Sequence, residues 1–529
     1  MSRQEARSVE AGRQLVLRVP PLIRYISLPV AAAGISHLLS ATIGFIEGDH
    51  IYSIELMLWA IIYLASSVAW MTILQPSRSL SKEETLILVG FSWLTTPLLS
   101  AIPVSYALGV PLIDAWFESV SGFTTTGLSV FNGAVDPDYN VYIPSVEELP
   151  LSILWWRAVT EWLGGFGIVV MFYVFARLGG LPAHLVGFAE GRFERLEPSI
   201  AKSIQALMAL YLFLTITGAI LLYIAGMTPA DAVYHSMTGI ATGGFSTHSE
   251  SVGFYNSVIV EAAAIIVMAL GAANFADLYA LVKGIPRRFS REIESFIAVA
   301  LLSIFVGTAI LYITGWTLYH PLREAAFDVV TALSGTGFGI SDLSKAPEAW
   351  KAFLVPLMLI GGSAFSTTGG IKQYRLMVLA KNIVWMVTET VYGTGRITVR
   401  RVGGYAITES ELRRVMTIVT LFTLTHMGGT LALMLLIPGC SLADAAFEAA
   451  SALGTVGLSV GITSAAATWQ VKAVLMVLMT LGRLEIAGFL YTLAAAAKMT
   501  KRVRIEERRK PGMLRFKERR TYLGPSLHA

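Results

Sequence analysis

Long apolar runs separated by short polar segments dominate the chain, and about twenty such residues are what an α-helix needs to cross a bilayer. The pattern predicts helices near 26–46, 51–74, 85–108, 151–176, 203–225, 256–283, 294–315, 348–390, 415–437 and 469–497, which makes ten crossings. The run from 348 to 390 stands apart. As one helix it would reach about 64 Å at ~1.5 Å per residue, roughly twice the hydrocarbon core. It contains Gly361–Lys372, GGSAFSTTGGIK, and this run of Gly, Ser and Thr predicts a break within the membrane.

Between the members of the last four pairs, one seventeen-residue pattern recurs without a gap. Asp114–Val130 reads DAWFESVSGFTTTGLSV and Asp231–Thr247 reads DAVYHSMTGIATGGFST. Glu324–Ile340 reads EAAFDVVTALSGTGFGI and Asp444–Val460 reads DAAFEAASALGTVGLSV. The apolar part of each copy, about ten residues, is too short to span. Each copy therefore enters and leaves by one face, as a short helix and a loop, which the bilayer tolerates only where protein or a water-filled cavity covers the backbone. Four such copies in an apolar chain suggest four membrane modules around one axis. The predicted fold class is an all-α membrane protein: four pseudo-symmetric helix–pore-loop–helix units around one central pore, plus an extra N-terminal helix pair. The segments are a cytoplasmic N-terminus (1–25), the extra pair (26–84), pore units at 85–190, 191–285, 286–400 and 401–497, and a basic cytoplasmic tail (498–529). The third unit carries the interruption at 361–372.

Composition agrees with a bilayer protein. The chain of 529 residues is 54% hydrophobic and 14% charged, against about 25% charged in soluble domains. A single cysteine, Cys440, excludes an internal disulfide. Lys and Arg concentrate in 1–25, 75–84, 177–202, 283–293, 391–414 and 498–529, whereas the opposite loops hold only Arg323 and Lys345. By the positive-inside rule the repeats face outward and both termini are cytoplasmic. The outer loops are acidic, with Asp114, Glu118, Asp136, Asp138, Glu147, Glu148, Asp231 and Glu250. A vestibule of that sign concentrates cations. The basic tail suits anionic lipid; no nucleic-acid motif accompanies it.

An ion entering the membrane exchanges water for other oxygens, and backbone carbonyls supply them without net charge. Each repeat ends in small residues that allow such a conformation: Thr124-Thr125-Thr126-Gly127, Ala241-Thr242-Gly243-Gly244, Ser334-Gly335-Thr336-Gly337 and Gly454-Thr455-Val456-Gly457. None of the sixteen is charged, which argues against a ring of carboxylates. The opening acids Asp114, Asp231, Glu324 and Asp444 are read as helix N-caps or N-terminal charges. Arg483 lies well inside the last apolar run, where a charge is costly and points to function. Glu485, two residues on, faces elsewhere and suits another partner. Arg157 and Glu161 stand four apart and suit each other. His235 and His248 flank the second filter, Ala241–Gly244; they are expected at the surface, with pH-sensitive flux as the alternative. Glu55, Glu261 and Asp277 are assigned to interhelical hydrogen bonding. No nucleophile–base pair or metal cluster stands out, so no enzyme and no cofactor are expected. Four same-direction copies also disfavour an organic-solute transporter built from inverted repeats.

These repeats resemble the filters of the Trk/Ktr/HKT superfamily of potassium transporters, in particular its bacterial and archaeal Trk/Ktr-type pore subunits. The resemblance covers residues 85 to 497. It implies a chain folded like a K⁺-channel tetramer, with filters that keep mainly one glycine, matched here by Gly127, Gly244, Gly337 and Gly457. Some plant relatives have Ser at the first of these and prefer Na⁺, so Gly127 implies K⁺ as the transported ion. The extra pair resembles the Trk branch, whereas the wording of the fourth filter is closer to the Ktr branch. The resemblance further implies that Gly361, Gly362, Ser366, Thr367, Thr368, Gly369, Gly370 and Lys372 form an intramembrane gating loop. Arg483 would act as an electrostatic barrier below the filter. It also implies a homodimer on a ring of separate cytoplasmic nucleotide-binding subunits in the cytoplasmic membrane.

Overall fold

The computed structural model describes residues 17–178, 200–285, 290–393 and 400–509, apart from 79 and 404. Helices dominate, as the hydropathy pattern predicts. The N-terminal pair is α1 (Ser27–Ile46) and α2 (His50–Ile73), which pack on each other, with α1 also against α3 (Lys82–Leu108) and α5 (Leu151–Leu178). Asp49 caps α2, and Ser81 with Glu84 forms a reciprocal capping box at the start of α3.

Four units follow the same order of long helix, short helix, loop and long helix. The short helices are α4 (Leu112–Phe123), α7 (Pro229–Ile240), α11 (Pro321–Ser334) and α15 (Leu442–Gly454). The helices before them are α3, α6 (Ile200–Ala225), α10 (Glu292–Thr314) and α14 (Glu409–Leu436). The segments after them are α5; α8 (Val258–Ala272) with α9 (Phe275–Lys283); α12 (Glu348–Ile360) with α13 (Gln373–Tyr392); and α16 (Trp469–Leu484) with α17 (Ile486–Arg509). Each short helix packs on its own two neighbours and on the preceding unit: α7 on α5, α11 on α8, α15 on α12, and α4 on α16. The last contact closes the chain of units into a ring.

The expectation that 256–283 and 469–497 each form one straight helix is corrected by this geometry. Among the described residues, six helices are long and apolar enough to cross a membrane: 21–46, 50–73, 83–108, 202–225, 292–314 and 409–436. The predicted helix 256–283 turns through 103° between α8 and α9, and 469–497 turns through 94° between Trp469–Leu484 and Gly488–Lys498. At the first bend the Asn274 side chain accepts from the N–H groups of Ala276 and Asp277, capping α9. At the second, Glu485 takes a φ of +52° and pairs with Arg375 at 2.9 Å. Hydropathy does not register either event because both sides of each bend are apolar.

Short strands also appear among the helices. Leu17–Val19 pairs in parallel with Leu74–Pro76, and the outer loop of the first unit folds into an antiparallel hairpin, Asn132–Asp136 with Val141–Ser145. The basic segments 391–414 and 498–529 lie in part outside the described residues (394–399, 404 and 510–529).

Candidate functional site: a ring of four glycine loops

The four loops share one backbone course. Just past each short helix, the second residue of the tetrad is left-handed: Thr125 at φ +52°, Thr242 at +53°, Gly335 at +66° and Thr455 at +52°. Each closing glycine also has positive φ: Gly127 +84°, Gly244 +86°, Gly337 +84° and Gly457 +95°. Threonine in that region costs about 1–3 kcal/mol and persists only where its surroundings hold it. Bonds between hydroxyls help, with Thr124 and Thr126 2.8 Å apart and Ser334 and Thr336 at the same distance.

The glycines meet around the ring. A Cβ on Gly127 would come within 3.0 Å of the Gly243 carbonyl oxygen, one on Gly244 of the Thr336 oxygen, one on Gly337 of the Val456 oxygen, and one on Gly457 of the Thr126 oxygen. Each glycine thus packs on the carbonyl that precedes the next unit's glycine, in the order first to second to third to fourth to first. All sixteen tetrad residues come together here, buried except for the partly exposed Gly127, Gly337 and Gly457.

Behind the loops lies a shell of polar side chains from the fifth position of each repeat. Glu118 accepts from Ser129 Oγ at 2.8 Å and the Val130 N–H at 3.1 Å. Glu448 holds Ser459 and Val460 in the same way, at 2.8 and 3.0 Å. His235 Nε2 meets Ser246 Oγ at 2.9 Å. In the third copy that serine position is Gly339, and Asp328 instead accepts from Trp350 at 3.1 Å. The signal is present in the sequence as a polar residue at position five of every copy, of which Glu118 reads as part of an open vestibule and His235 as a surface residue.

Several expectations about charged groups change. Asp114, Glu118 and Asp136 are buried, not vestibular, whereas Asp138, Glu147, Glu148 and Glu250 are exposed. Arg157 pairs with Glu118 at 2.7 Å and not with Glu161. His235 is fully buried, and His248 stacks on Phe254 with ring centres 3.6 Å apart. The four opening acids sit in the first helical turn, while the N-cap positions are Pro111, Thr228, His320 and Ser441. Glu261 pairs with Arg323 at 2.6 Å, and Asp277 accepts from Ser290 Oγ at 2.6 Å.

Lys472, missed in the sequence, joins the first repeat to the last unit. Its ammonium lies 2.5 Å from both Asp114 and Asp136 and donates to the Ala465 carbonyl at 3.1 Å. Burial opposes ionisation of Asp136, but Lys472 and the N–H groups of Tyr139 and Asp138 outweigh it and hold this carboxyl below its ordinary value. Its stabilising contribution is therefore present above the ordinary aspartate value and lost as pH falls through the lowered one. Lys472→Met would strand two buried carboxylates and is expected to cost about 3–5 kcal/mol. A fall in melting temperature in detergent, reduced when Asp114→Asn is added, checks this.

Beneath the ring, α12 ends at Gly361 (φ +73°) and α13 begins after Lys372 (φ +78°), with residues 361–370 all buried between them. The connecting loop is tied to the bend in the second unit. Ser363 N–H donates to the Ala272 carbonyl at 2.9 Å, and Phe275 N–H donates to the Phe365 carbonyl at 3.0 Å. Two breaks in apolar helices thus satisfy each other's backbone groups where lipid supplies no partner. Thr367 Oγ1 lies 2.9 Å from the Ile240 carbonyl and 3.1 Å from Thr242 Oγ1, at the base of the second loop. Gly369 lies against Gly454 and Thr455 of the fourth, where a Cβ would be closer than 3.0 Å. Ser366 bonds Thr368 at 3.0 Å, Lys372 donates to the Thr368 carbonyl, and the Gly361 carbonyl accepts from Gln373. The Gly362 carbonyl accepts from the Gln373 N–H, and Gly370 packs on the Leu359 and Ile360 carbonyls. Arg483 donates to the Thr367 carbonyl at 2.5 Å and to the Gly164 carbonyl of α5 at 2.8 Å, so it ties the loop to the first unit.

Comparison with known proteins agrees with this architecture. The chain is 28% identical over 497 residues to the Trk system potassium uptake protein TrkH of Vibrio parahaemolyticus, covering 89% of this chain and 98% of that one. It is 29% identical over 421 residues to an uncharacterised cation transporter of Methanocaldococcus jannaschii, covering 79% and 83%. The crystal structure of the potassium transporter TrkH from V. parahaemolyticus superposes with a TM-score of 0.75 at 27% identity, covering 89% and 97%. A family model described as TrkH, cation transport protein, matches residues 54–302 and 317–502. Matched by that model over most of its length, the chain belongs to the TrkH family of cation transport proteins.

Proposed function

We propose that this protein takes up potassium across the cytoplasmic membrane through the four-loop ring, with backbone carbonyls of the tetrads replacing the ion's water. The observation that carries this reading is the closed cycle of glycine–carbonyl contacts, which brings four uncharged backbones to one axis. The names of the relatives as potassium uptake proteins point the same way. The outer mouth faces outward and both termini are cytoplasmic, on the strength of the Lys and Arg distribution. The membrane potential drives uptake: one charge crossing 100 mV gains about 2.3 kcal/mol, enough for roughly a fifty-fold gradient. Residues 361–372 and Arg483 form the gate, supported by their position against the second and fourth loops. The working unit is a homodimer regulated by a separate cytoplasmic nucleotide-binding ring. A sodium-conducting or cation-coupled symporter of the same fold is the alternative.

Liposomes containing the purified protein are expected to accumulate radiolabelled Rb⁺, with block by K⁺ and not by Na⁺ or Li⁺. Equal block by Na⁺ would keep the pore and replace its selectivity. Absence of uptake in the wild type and in Arg483→Ala would overturn a self-sufficient pore.

A further inference from the structure

Helix α5 belongs to the first unit, yet two of its buried side chains, one turn apart, hold the backbone of the second loop. Both carboxylate oxygens of Glu161 accept from the Phe245 N–H, each at 3.2 Å. Arg157 donates to the Ser246 carbonyl at 2.9 Å, and its guanidinium lies 4.1 Å over the centre of the Phe245 ring. The Arg157 charge is met by Glu118. Glu161 is fully buried, and a Cβ on Gly243 would come within 3.0 Å of its carboxylate carbon and both oxygens, so the loop lies directly against it.

A buried carboxylate is costly unless it is well paired, and this one is directed at a single peptide. That peptide is informative. In a trans peptide the N–H of Phe245 and the C=O of Gly244 share one plane and point in opposite directions. An acceptor that draws the N–H back toward α5 therefore turns the Gly244 carbonyl away from α5. Arg157 fixes the next carbonyl but one in the other sense, leaving the intervening peptide little freedom to rotate.

We propose that Glu161 is a selectivity-determining positioning residue, which orients the Gly244 carbonyl by accepting the Phe245 N–H, with Arg157 as its counterpart on Ser246. This rests on the ring being the ion pathway. Without the acceptor the 244–245 peptide is free to flip, one of four carbonyls is lost from its level, and K⁺ loses its advantage over Na⁺.

The test is competition of K⁺ and Na⁺ against Rb⁺ uptake by reconstituted protein. Glu161→Gln keeps an acceptor oxygen at the same reach and is expected to hold the K⁺/Na⁺ preference within about twofold. Glu161→Leu removes the acceptor, and Glu161→Asp withdraws it by one methylene; both are expected to lower the preference about tenfold while Rb⁺ still passes. A wild-type preference in Glu161→Leu or Glu161→Asp, or a loss in Glu161→Gln as large as in Glu161→Leu, would overturn the proposal. If Glu161→Leu does not elute as folded protein, the Asp and Gln variants decide the matter. A wild type that shows no K⁺-blocked uptake overturns the transport reading and this proposal with it. A selective wild type with insensitive variants overturns this proposal alone.

Discussion

Gly127→Ser is expected to lower the preference for K⁺ over Na⁺ about tenfold or more. Two causes act together. Gly127 has a φ of +84°, which a side chain adopts only at a cost of about 1–3 kcal/mol. The new Cβ would also fall on the Gly243 carbonyl oxygen, closer than 3.0 Å. Relief requires moving either the first loop or that carbonyl, and either movement widens the ring at one corner. Whether selection comes from cavity size or from the field of the carbonyl dipoles, displacing one oxygen weakens it. The same reasoning extends to Gly244, Gly337 and Gly457, each facing its own neighbour's carbonyl. Gly428→Ala is the control, since a Cβ there meets nothing within 4 Å. The measurement is the ratio of K⁺ to Na⁺ concentrations that halve Rb⁺ uptake. A ratio unchanged in Gly127→Ser would remove the ring from the ion's path.

Arg483→Ala is expected to raise flux by at least about tenfold at unchanged selectivity. The guanidinium donates to carbonyls on two units, Thr367 of the intramembrane loop and Gly164 of α5. Hydrogen bonds from a charged donor contribute about 1.5–3 kcal/mol each, so their loss shifts a loop equilibrium substantially toward release. Removing a positive charge beneath the ring also lowers the barrier to a cation. Arg483→Lys keeps the charge and loses the forked donor, and its flux should fall between the two. Initial rates of Rb⁺ uptake with a fixed K⁺ gradient separate these outcomes. Flux unchanged in Arg483→Ala would mean that the loop's other ties, through Ser363, Phe365, Thr367 and Lys372, suffice to hold it.

The repeats themselves were legible because each copy carries the same punctuation: an acid at the head, apolar residues at helical spacing, and a glycine at the close. That punctuation is local, and local backbone preference follows from it. The bends at Ala273–Asn274 and at Glu485 were not legible, because hydropathy measures transfer to lipid and is blind to direction within an apolar stretch. Asn274 followed by Asp277 was a readable cap, hidden by the apolar residues around it. The pairing of charges was misread where spacing along one helix was used as a guide. Arg157 and Glu161 are neighbours on α5, yet one reaches Glu118 and the other the Phe245 backbone.

By itself the sequence determined that the chain is a helical membrane protein, that it contains four equivalent units, and that each unit brings an uncharged, glycine-terminated loop back to the face it entered. Those properties depend on residue type and on intervals of a few residues, over which backbone geometry and transfer energy act. Only the tertiary structure decided which unit touches which, so that Gly127 faces Gly243 and Gly457 faces Thr126. It alone brought Lys472 to Asp114 and Asp136, and laid the 361–372 loop across the α8–α9 bend. Such pairings are settled by desolvation: a buried charge or an open peptide group must find a partner wherever the packed units place one, and that location is not written in the spacing along the chain.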